Sequence, residues 1–453
     1  MAKYIDSGEI VLLLDSYTQE GQYLFDSLKQ AGYECIAIVI NENDFLPEAF
    51  FSIYDLFIGN YIKEKKIKPR FFNEIDVPDY WSISAGVNEN YGKISYQHEE
   101  KGKIHYAEIA KSYIVKAVDW YDRKGVTRFR DHYNRYGSIC ARTVYNVQGE
   151  PMSKTWLSEE GKEIIVENYI THDTILNDGE IVKIFRTKTD LVCYGFTKMG
   201  LDQKRIFFNS LSTPFFVSNA LDGFEKTDIL FWQEAIGDNI PGNMQMILDG
   251  KAKRTGKIIV QKRHVYNRLM ELDIPAEMIY RLGFIYPFKK EKFYGSEALI
   301  CTRSDEIEHC QEFIKALPQM HFHITAPTLM SSKLMNLDTY DNVSIYPAVK
   351  TQILEELFEK CGFYFDINYH TAVDSAIYQA FLHDQLVFAF QETIHNREFV
   401  ADEHIYPVAE FEKMVADICS IINNDAIGRQ HLKRQHEDAL AENKKTYVKT
   451  LNV

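Results

Sequence analysis

Short apolar runs alternate with amphipathic segments near the start of the chain, and this alternation predicts an α/β lobe. A buried strand is predicted at Ile10–Leu14, followed by a helix with Leu24 and Leu28 on its apolar side. Gly32 ends this helix, and a second strand is predicted at Cys35–Ile40. The first seventy residues therefore begin an α/β lobe.

The pattern changes to short alternating strands separated by turns between about residues 71 and 195. Glycines stand at positions 125, 137, 149 and 161, each twelve residues apart, and the first three close the motif Y-[D/N]-x-x-G. A period of twelve holds one strand and a turn that Asp or Asn opens and Gly closes with positive φ. The motif tyrosines are Tyr121, Tyr133 and Tyr145. The repeat predicts a β-meander, which is either purely structural or a tyrosine-lined docking surface.

After residue 200 the α/β pattern resumes, and it continues to the end of a second lobe. Strands such as Asp228–Trp232, Phe363–Ile367 and Leu386–Phe390 alternate with amphipathic helices, which predicts parallel sheets with right-handed crossovers. The helix between the last two of these strands is predicted to carry Val373 on its apolar face. The predicted domains are the first lobe at 1–70 and 196–285, an inserted β-meander domain at 71–195, the second lobe at 286–428, and a solvated terminal helix at 429–453.

Composition and charge limit the function classes. The chain of 453 residues is 45% hydrophobic and 26% charged, and its net charge of −14 opposes sequence-independent binding to nucleic acid. Its seven cysteines form no C-x-x-C motif and mostly lie in apolar runs, as expected of reduced core residues in a cytoplasmic protein. The five-residue apolar run near the start is too short for a signal peptide or a transmembrane segment. Peripheral association with the inner face of the membrane is expected only through a partner.

Motifs for metal or cofactor chemistry are weak. His321 and His323 alternate on a predicted strand and so share one face, but no third ligand with matching spacing appears. The sequence contains neither G-x-S-x-G nor the phosphate-binding motif G-x-x-x-x-G-K-[ST]. No metal ion and no cofactor are therefore predicted.

Four long sequence runs resemble one known family. They are HYNRYGSICARTVYN (132–146), DILFWQEAIGDNIPGNMQMILD (228–249), SDEIEHCQEFIKALPQ (304–319) and DINYH (366–370). These runs are similar to the stabilising, non-catalytic subunits of the GtfB type. Such subunits belong to O-GlcNAc transferase complexes that modify serine-rich repeat adhesins of Gram-positive bacteria through the accessory Sec system.

The resemblance implies a GT-B fold of two Rossmann-like lobes, with a β-meander domain inserted in the first lobe. It also implies a catalytic partner of the GtfA type, assembled with this chain into a heterotetramer. In such a complex the partner binds the sugar nucleotide, and this chain helps to hold the Ser/Thr-rich adhesin acceptor.

Residues of the second lobe agree with a non-catalytic role. GT-B transferases place one glutamate in the loop after the strand at 363–367 and another eight positions on, and these places fall at Thr371 and Gln379. Neither side chain carries the charge that fixes a ribose or stabilises a glycosyl centre. Arg303 stands where a diphosphate would bind, but Asp305 and Glu306 occupy the place of a second cation. The donor site is therefore predicted to be degenerate.

Candidate acceptor contacts lie just beyond predicted strand ends, where parallel sheets bind their ligands. They are Trp232, Gln233, Glu234, Asn243, Ser16, Gln19 and His370. The functional interpretation is that the tryptophan stacks on a peptide or sugar while the polar groups hydrogen-bond to it. The alternative is a core tryptophan, solvated turns and a locally bonded histidine.

The sequence thus predicts a non-catalytic subunit that stabilises a glycosyltransferase complex and binds its acceptor. The catalytic partner is expected to dock on the meander repeats between Tyr121 and Gly161. One alternative is an active retaining glycosyltransferase that uses a displaced acid such as Asp374 or Glu392. Another alternative is a free chaperone for adhesin export that forms no stable complex.

Overall fold

The computed structural model describes residues 10–41, 45–58, 68–86, 90–107, 113–179, 181–272, 274, 278–289, 294–373, 375–422 and 424–452. The chain divides into two compact units. The first contains residues up to Val260 together with Arg268–Tyr280, and the second contains Gln261–Asn267 together with the chain from Arg281 onward. Among the described residues, no helix is both long and apolar enough to cross a membrane.

The first unit begins with the predicted strand–helix–strand segment. Its elements are β1 (Ile10–Leu14), α1 (Gln19–Ala31), β2 (Cys35–Val39), β3 (Phe50–Ser52) and α2 (Asp55–Ile58). The side chain of Thr18 caps the start of α1 by accepting a hydrogen bond from the backbone N–H of Gly21 at 3.0 Å. Gly32 ends the helix with a left-handed φ of 95°. The local chemistry therefore sets both ends of α1.

A ten-stranded antiparallel meander follows, and its strands are hydrogen-bonded in sequence order. They are β4 (Ser82–Ser84), β5 (Tyr91–Tyr96), β6 (Glu99–Tyr106), β7 (Val115–Tyr121), β8 (Thr127–Tyr133), β9 (Ile139–Tyr145), β10 (Pro151–Leu157), β11 (Glu163–Asn168), β12 (Thr174–Asp178) and β13 (Ile181–Phe185). The predicted turn chemistry is present: Asn134 Oδ1 accepts from the backbone N–H of Tyr136 at 3.0 Å, and Gly137 closes that turn at φ 80°. A Cβ atom at Gly137 would also lie 2.7 Å from the carbonyl oxygen of Lys68, so only glycine fits.

The chain then returns to the first parallel sheet. The elements are α3 (Lys188–Met199), β14 (Arg205–Phe208), α4 (Thr213–Ala220), β15 (Asp228–Trp232), α5 (Gly242–Leu248), β16 (Thr255–Val260), α6 (Arg263–Glu271) and β17 (Ile279–Arg281). The strand order is β17-β16-β15-β14-β1-β2-β3, so the order reverses between β1 and β14. The predicted meander boundary at residue 195 falls inside α3, because the last meander strand already ends at Phe185.

The second unit is built on a six-stranded parallel sheet with the order β20-β19-β18-β21-β22-β23. Its elements are β18 (Glu297–Cys301), α7 (Cys310–Ala316), β19 (His321–Thr325), α8 (Ser332–Met335), β20 (Val343–Tyr346), α9 (Thr351–Lys360), β21 (Phe363–Asp366), α10 (Ala376–Leu382), β22 (Leu386–Phe390), β23 (Ile405–Tyr406), α11 (Phe411–Ile421), α12 (Asp425–Asp438) and α13 (Lys444–Leu451). This order is that of a Rossmann-like lobe, and it reverses between β18 and β21.

Two details differ from the sequence prediction. Val373 lies outside the helix after β21, because Ser375 adopts a left-handed φ of 60° and α10 starts only at Ala376. The terminal segment forms two helices, α12 and α13, in place of one solvated helix. Both are anchored by buried side chains, since Gln435 and Tyr447 are fully enclosed. These largely polar helices therefore each bury part of their sequence.

Candidate functional site

Polar side chains meet at the carboxyl ends of β1, β14 and β15 in the first unit. Asn209 is central: its Oδ1 accepts from the backbone N–H of Asp15 at 2.9 Å, and its Nδ2 donates to Gln233 Oε1 at 3.2 Å. Gln233 in turn donates from Nε2 to the carbonyl of Glu20 at 3.2 Å. This point is where the strand order of the sheet reverses, and open α/β sheets bind ligands at such switch points.

The hydrogen bonds extend outward from Asp15 to exposed groups. Its carboxylate accepts from Asn41 Nδ2 at 3.0 Å and from the hydroxyl of Ser212. Ser16 Oγ accepts from the same Asn41 amide at 3.4 Å, and Ser210 Oγ donates to Ser212 Oγ at 3.1 Å. We call Asp15, Ser16, Asn41, Asn209, Ser210, Ser212 and Gln233 the lobe I polar network. Its hydroxyls and amides can both donate and accept hydrogen bonds, as recognition of a peptide backbone or a serine hydroxyl requires.

Three predicted acceptor contacts lie in or beside the lobe I polar network. Ser16 and Gln233 belong to it. Asn243 adjoins it, because its Nδ2 donates to the carbonyl of Leu211 at 2.9 Å. The structure therefore brings together residues that the sequence could only place at separate strand ends.

The other candidates near these strands have different environments. Trp232 is only 2% exposed, so its ring is a core side chain and is not available to stack on a ligand. Its Nε1 is buried and has no hydrogen-bond partner among the described residues. Gln19 and Glu234 are exposed. Trp232 is therefore a core tryptophan, which is the alternative that the sequence left open.

Sequence reasoning missed Asp15, Asn41, Asn209, Ser210 and Ser212. The signal was present, because each lies within four residues after a buried strand, as Ser16 and Gln233 do. The sequence does not show which strands are neighbours in the sheet. Only that order shows that the ends of these strands adjoin.

An open pocket of about 540 Å³ lies beyond the carboxyl ends of β18 and β19 in the second unit. Its lining includes Arg303, Asp305, Glu306 and Thr371, so it contains two carboxylates and one guanidinium. Gln379 lies on α10 and is not part of the lining. Acidic side chains near a diphosphate repel it. This pocket therefore has the position of a nucleotide site without a matching charge.

Of the two acids suggested for an active enzyme, the structure describes only Glu392. Asp374 lies outside the described residues. The carboxylate of Glu392 accepts a hydrogen bond from the backbone N–H of Val408 at 3.1 Å. This bond assigns a structural role to Glu392, because it fixes the segment that follows β23.

His370 is part of a hydrogen-bonded clamp at the edge of this pocket. Its Nε2 lies 2.8 Å from Glu306 Oε2, and its backbone has a left-handed φ of 72°. The ring of His395 faces two acceptors, with Nδ1 2.6 Å from Asp366 Oδ1 and Nε2 2.9 Å from the carbonyl of His370. The hydrogen bond to Asp366 raises the pKa of His395, although burial opposes it. The ring of His395 thus links Asp366 to the His370 turn, and His370 itself bonds locally to Glu306.

The clamp predicts a pH-dependent contribution to stability. Because the pKa of His395 is raised in the folded state, its contribution is complete below about pH 6.5, the unfolded value, and is lost as pH rises through the folded value. His395→Gln is therefore expected to lower the urea midpoint of the second unit more at about pH 6 than at about pH 9. The matched control is His321→Gln, whose ring bonds the neutral hydroxyl of Ser344 at 2.8 Å. Equal losses for His395→Gln at both pH values would contradict the clamp.

One face of the meander is occupied by charged residues in a continuous cross-strand row. Asp119 pairs with Arg130, Arg130 with Thr143, and Thr143 with Lys154. Burial raises the pKa of Asp119, but hydrogen bonds from Arg130 and His105 outweigh it and lower the pKa to about 2. Lys154 is 3% exposed. The polar groups of this face are thus largely enclosed and paired.

The motif tyrosines do not share one exposed surface. Tyr133 is 4% exposed and belongs to the hydrophobic core of the meander, so it cannot contact a partner. Tyr121 and Tyr145 are half-buried, and burial raises the pKa of both phenols. The opposite face instead exposes aliphatic residues on the edge strand β13, where Val182 and Ile184 are 63% and 65% exposed. We call these two residues the meander aliphatic patch.

The architecture defines a class of protein. Two α/β sheets that each reverse their order beside the first strand, with a meander inserted in the first lobe, form a GT-B-type fold, as predicted. Models of four domains match the chain: the GtfB N-terminal domain at 11–57, the GtfB middle domain at 81–186, the GtfB third domain at 188–272 and the GftB/GlyA-F C-terminal domain at 298–435. The matches cover both lobes and the meander.

Full-length relatives are named stabilising proteins. The chain is 37% identical to the UDP-N-acetylglucosamine–peptide N-acetylglucosaminyltransferase stabilizing protein GtfB of Streptococcus gordonii, over 94% of this chain and 93% of that one. It is also 37% identical to the protein of the same name from Streptococcus agalactiae, over 98% and 99%. A chain in the crystal structure of a GtfA/B complex bound to UDP and GlcNAc is 36% identical, with a TM-score of 0.88 over 98% and 99%. This chain belongs to the GtfB family of stabilising proteins.

Proposed function

We propose that this chain is the non-catalytic, stabilising and acceptor-binding subunit of a protein O-GlcNAc transferase complex that glycosylates Ser/Thr-rich repeat adhesins. The observation that carries the proposal is the contrast between its two switch points. The lobe I polar network offers hydroxyls and amides, whereas the second-unit pocket combines Asp305 and Glu306 with a single Arg303. The first suits a polypeptide, and the second repels a sugar nucleotide.

Acceptor binding would use many weak hydrogen bonds. A Ser/Thr-rich segment without apolar anchors is unstructured, so its backbone and hydroxyls are the groups available for recognition. Asn41 and Ser212 are the exposed members of the lobe I polar network and would make the first contacts. Repeats along one chain raise the effective concentration of binding segments, which offsets weak individual contacts.

The catalytic partner in this proposal is a subunit of the GtfA type, arranged with this chain in a heterotetramer. The meander supplies the docking surface, and within it the meander aliphatic patch on the edge strand β13 is the apolar contact that we propose. We place the complex in the cytoplasm, with peripheral association at the inner face of the membrane, where an adhesin for the accessory Sec system would be modified before export.

The proposal is tested by transfer from UDP-GlcNAc to a Ser/Thr-rich acceptor. The purified chain alone is expected to transfer no sugar, whereas its mixture with the GtfA-type partner is expected to be active. Ser212→Ala is expected to raise the KM for acceptor roughly tenfold, the loss of about one hydrogen bond, without changing the KM for UDP-GlcNAc.

The matched control is Ser420→Ala, because among the described residues the exposed hydroxyl of Ser420 bonds only to the carbonyl of Asp417 in its own helix. Transfer by the isolated chain would favour an active glycosyltransferase over a stabilising subunit. If Ser212→Ala and Ser420→Ala have equal KM values for acceptor, the lobe I polar network does not bind the acceptor. Failure of the two proteins to co-elute would favour a free chaperone.

A further inference from the structure

Two histidines and a glutamate meet at the edge of the second sheet, away from the pocket of that unit. His404 lies in the turn before β23 and is fully buried, with its ring stacked on Phe388 at 4.2 Å between ring centres. His431 lies on α12, and Glu403 precedes His404 in the turn. The three side chains offer ligand atoms within 4.8 Å of one another.

Two of the three separations between ligand atoms match coordination to one small ion. His404 Nε2 lies 2.9 Å from His431 Nδ1, and His431 Nδ1 lies 2.9 Å from Glu403 Oε1. Zinc binds imidazole nitrogen at about 2.0–2.1 Å and carboxylate oxygen at about 2.0–2.2 Å. Two such ligand atoms are then about 2.9 Å apart at a right angle and about 3.3 Å apart at a tetrahedral angle.

Hydrogen bonds alone leave the polar atoms of these three side chains poorly satisfied. The Nδ1 atom of His431 faces both a ring nitrogen and a carboxylate oxygen, but it carries at most one proton. If it is protonated, one hydrogen is divided between two acceptors. If it is not, its lone pair faces the lone pairs of the carboxylate. A divalent cation would accept lone pairs from all three atoms at once.

The ligand set also selects the metal. Two imidazoles and one carboxylate suit borderline ions such as Zn²⁺, whereas Mg²⁺ and Ca²⁺ prefer oxygen ligands alone. The Glu403 side chain is 42% exposed, so water can reach the site and complete the coordination. Arg434 approaches the other carboxylate oxygen of Glu403 at 3.9 Å, which leaves Oε1 directed at His431. We infer that Glu403, His404 and His431 form a Zn²⁺-class metal site with an open position.

The placement suggests what such an ion would do. The turn at Asp402–His404 leads into the edge strand β23, and His431 belongs to the helix α12. The same helix is tied to β22 through Gln435, whose Oε1 accepts from the backbone N–H of Val387 at 2.9 Å. An ion would add a second tie between α12 and the edge of this sheet. The site would be structural, and it does not depend on the proposed function.

The test is calorimetric titration of ZnCl₂ into the full chain after dialysis against a chelator. We expect one equivalent to bind wild type, and His431→Gln and Glu403→Gln each to weaken binding about 100-fold or more. Co²⁺ is expected to give a ligand-field absorption spectrum with wild type and to lose it in both variants. The matched control is His436→Gln, which removes a histidine of the same helix that bonds Asp384 at 3.1 Å.

Each outcome decides the matter. The site is supported if both variants lose Zn²⁺ binding and the control variant keeps it. Wild type that binds no Zn²⁺, or binds it no better than the exposed-residue variant Glu403→Gln, overturns the inference. Glu403→Gln keeps the test valid even where His431→Gln does not fold, because Glu403 is not part of the core.

Discussion

Arg254→Met is expected to destabilise the first unit by about 3–5 kcal/mol. Arg254 and Asp228 are both fully buried, and the guanidinium Nε lies 2.9 Å from Asp228 Oδ2. The remaining N–H groups donate to the carbonyls of Asp202, Lys204 and Asp222 at 3.0, 2.6 and 3.1 Å. Methionine fills similar space but leaves a buried carboxylate unpaired and three carbonyls without these donors.

The measurement is the shift of the urea midpoint of the first unit, monitored by circular dichroism. The matched control is Arg268→Met, because Arg268 is 40% exposed and pairs with Asp238, which is 94% exposed. Exposed pairs contribute about 0–1 kcal/mol. Adding Asp228→Asn to Arg254→Met is expected to recover part of the loss, since it removes the unpaired charge. A shift no larger than that of Arg268→Met would show that the buried pair contributes little.

Elements set by local chemistry could be predicted from the sequence. The runs that form β1 and β22 are apolar throughout, that of β15 is apolar after Asp228, and the predicted and observed bounds of all three agree. The meander repeat was also predictable, because Asp or Asn followed three residues later by Gly defines three of its turns. The start of α10 was not, because the left-handed backbone at Ser375 is imposed by the fold around it.

The faces of the meander could not be predicted, and the reason is its bulges. The register shifts between Trp120 and Tyr121 in β7 and between His132 and Tyr133 in β8. A bulge inserts one residue, so the alternation of faces changes at the motif tyrosine itself. Counting by two along the strand therefore cannot show that Tyr133 is buried while Tyr121 is half-buried.

The sequence predicted that a candidate site lies beyond strand ends, but it did not predict which residues meet there. The rule that ligands bind beyond strand ends selected Ser16 and Gln233 correctly as neighbours of the switch point. It gave no reason to prefer Asn209, which bonds Gln233 and the backbone of Asp15, because that role depends on β14 pairing beside β1 across an insertion of ten strands. Long-range pairing of this kind leaves no periodic signal in the sequence.

The meander aliphatic patch leads to the second large expected effect. Ile184→Asp combined with Val182→Asp is expected to weaken the complex with the catalytic partner more than about 100-fold, because two charges would be buried against apolar surface. Both residues lie on the edge strand β13, at 65% and 63% exposure, so the isolated chain should tolerate the change. The measurement is co-elution on size exclusion, followed by calorimetry of the two purified proteins.

The design separates docking from folding. Ile170→Asp is the matched control, because Ile170 is 62% exposed but lies in the turn between β11 and β12. The control is expected to keep both the complex and its transfer activity. If the double variant still co-elutes with the partner, docking uses another part of the meander or another domain. If it folds alone but fails to co-elute, the exposed aliphatic side chains of β13 belong to the contact surface.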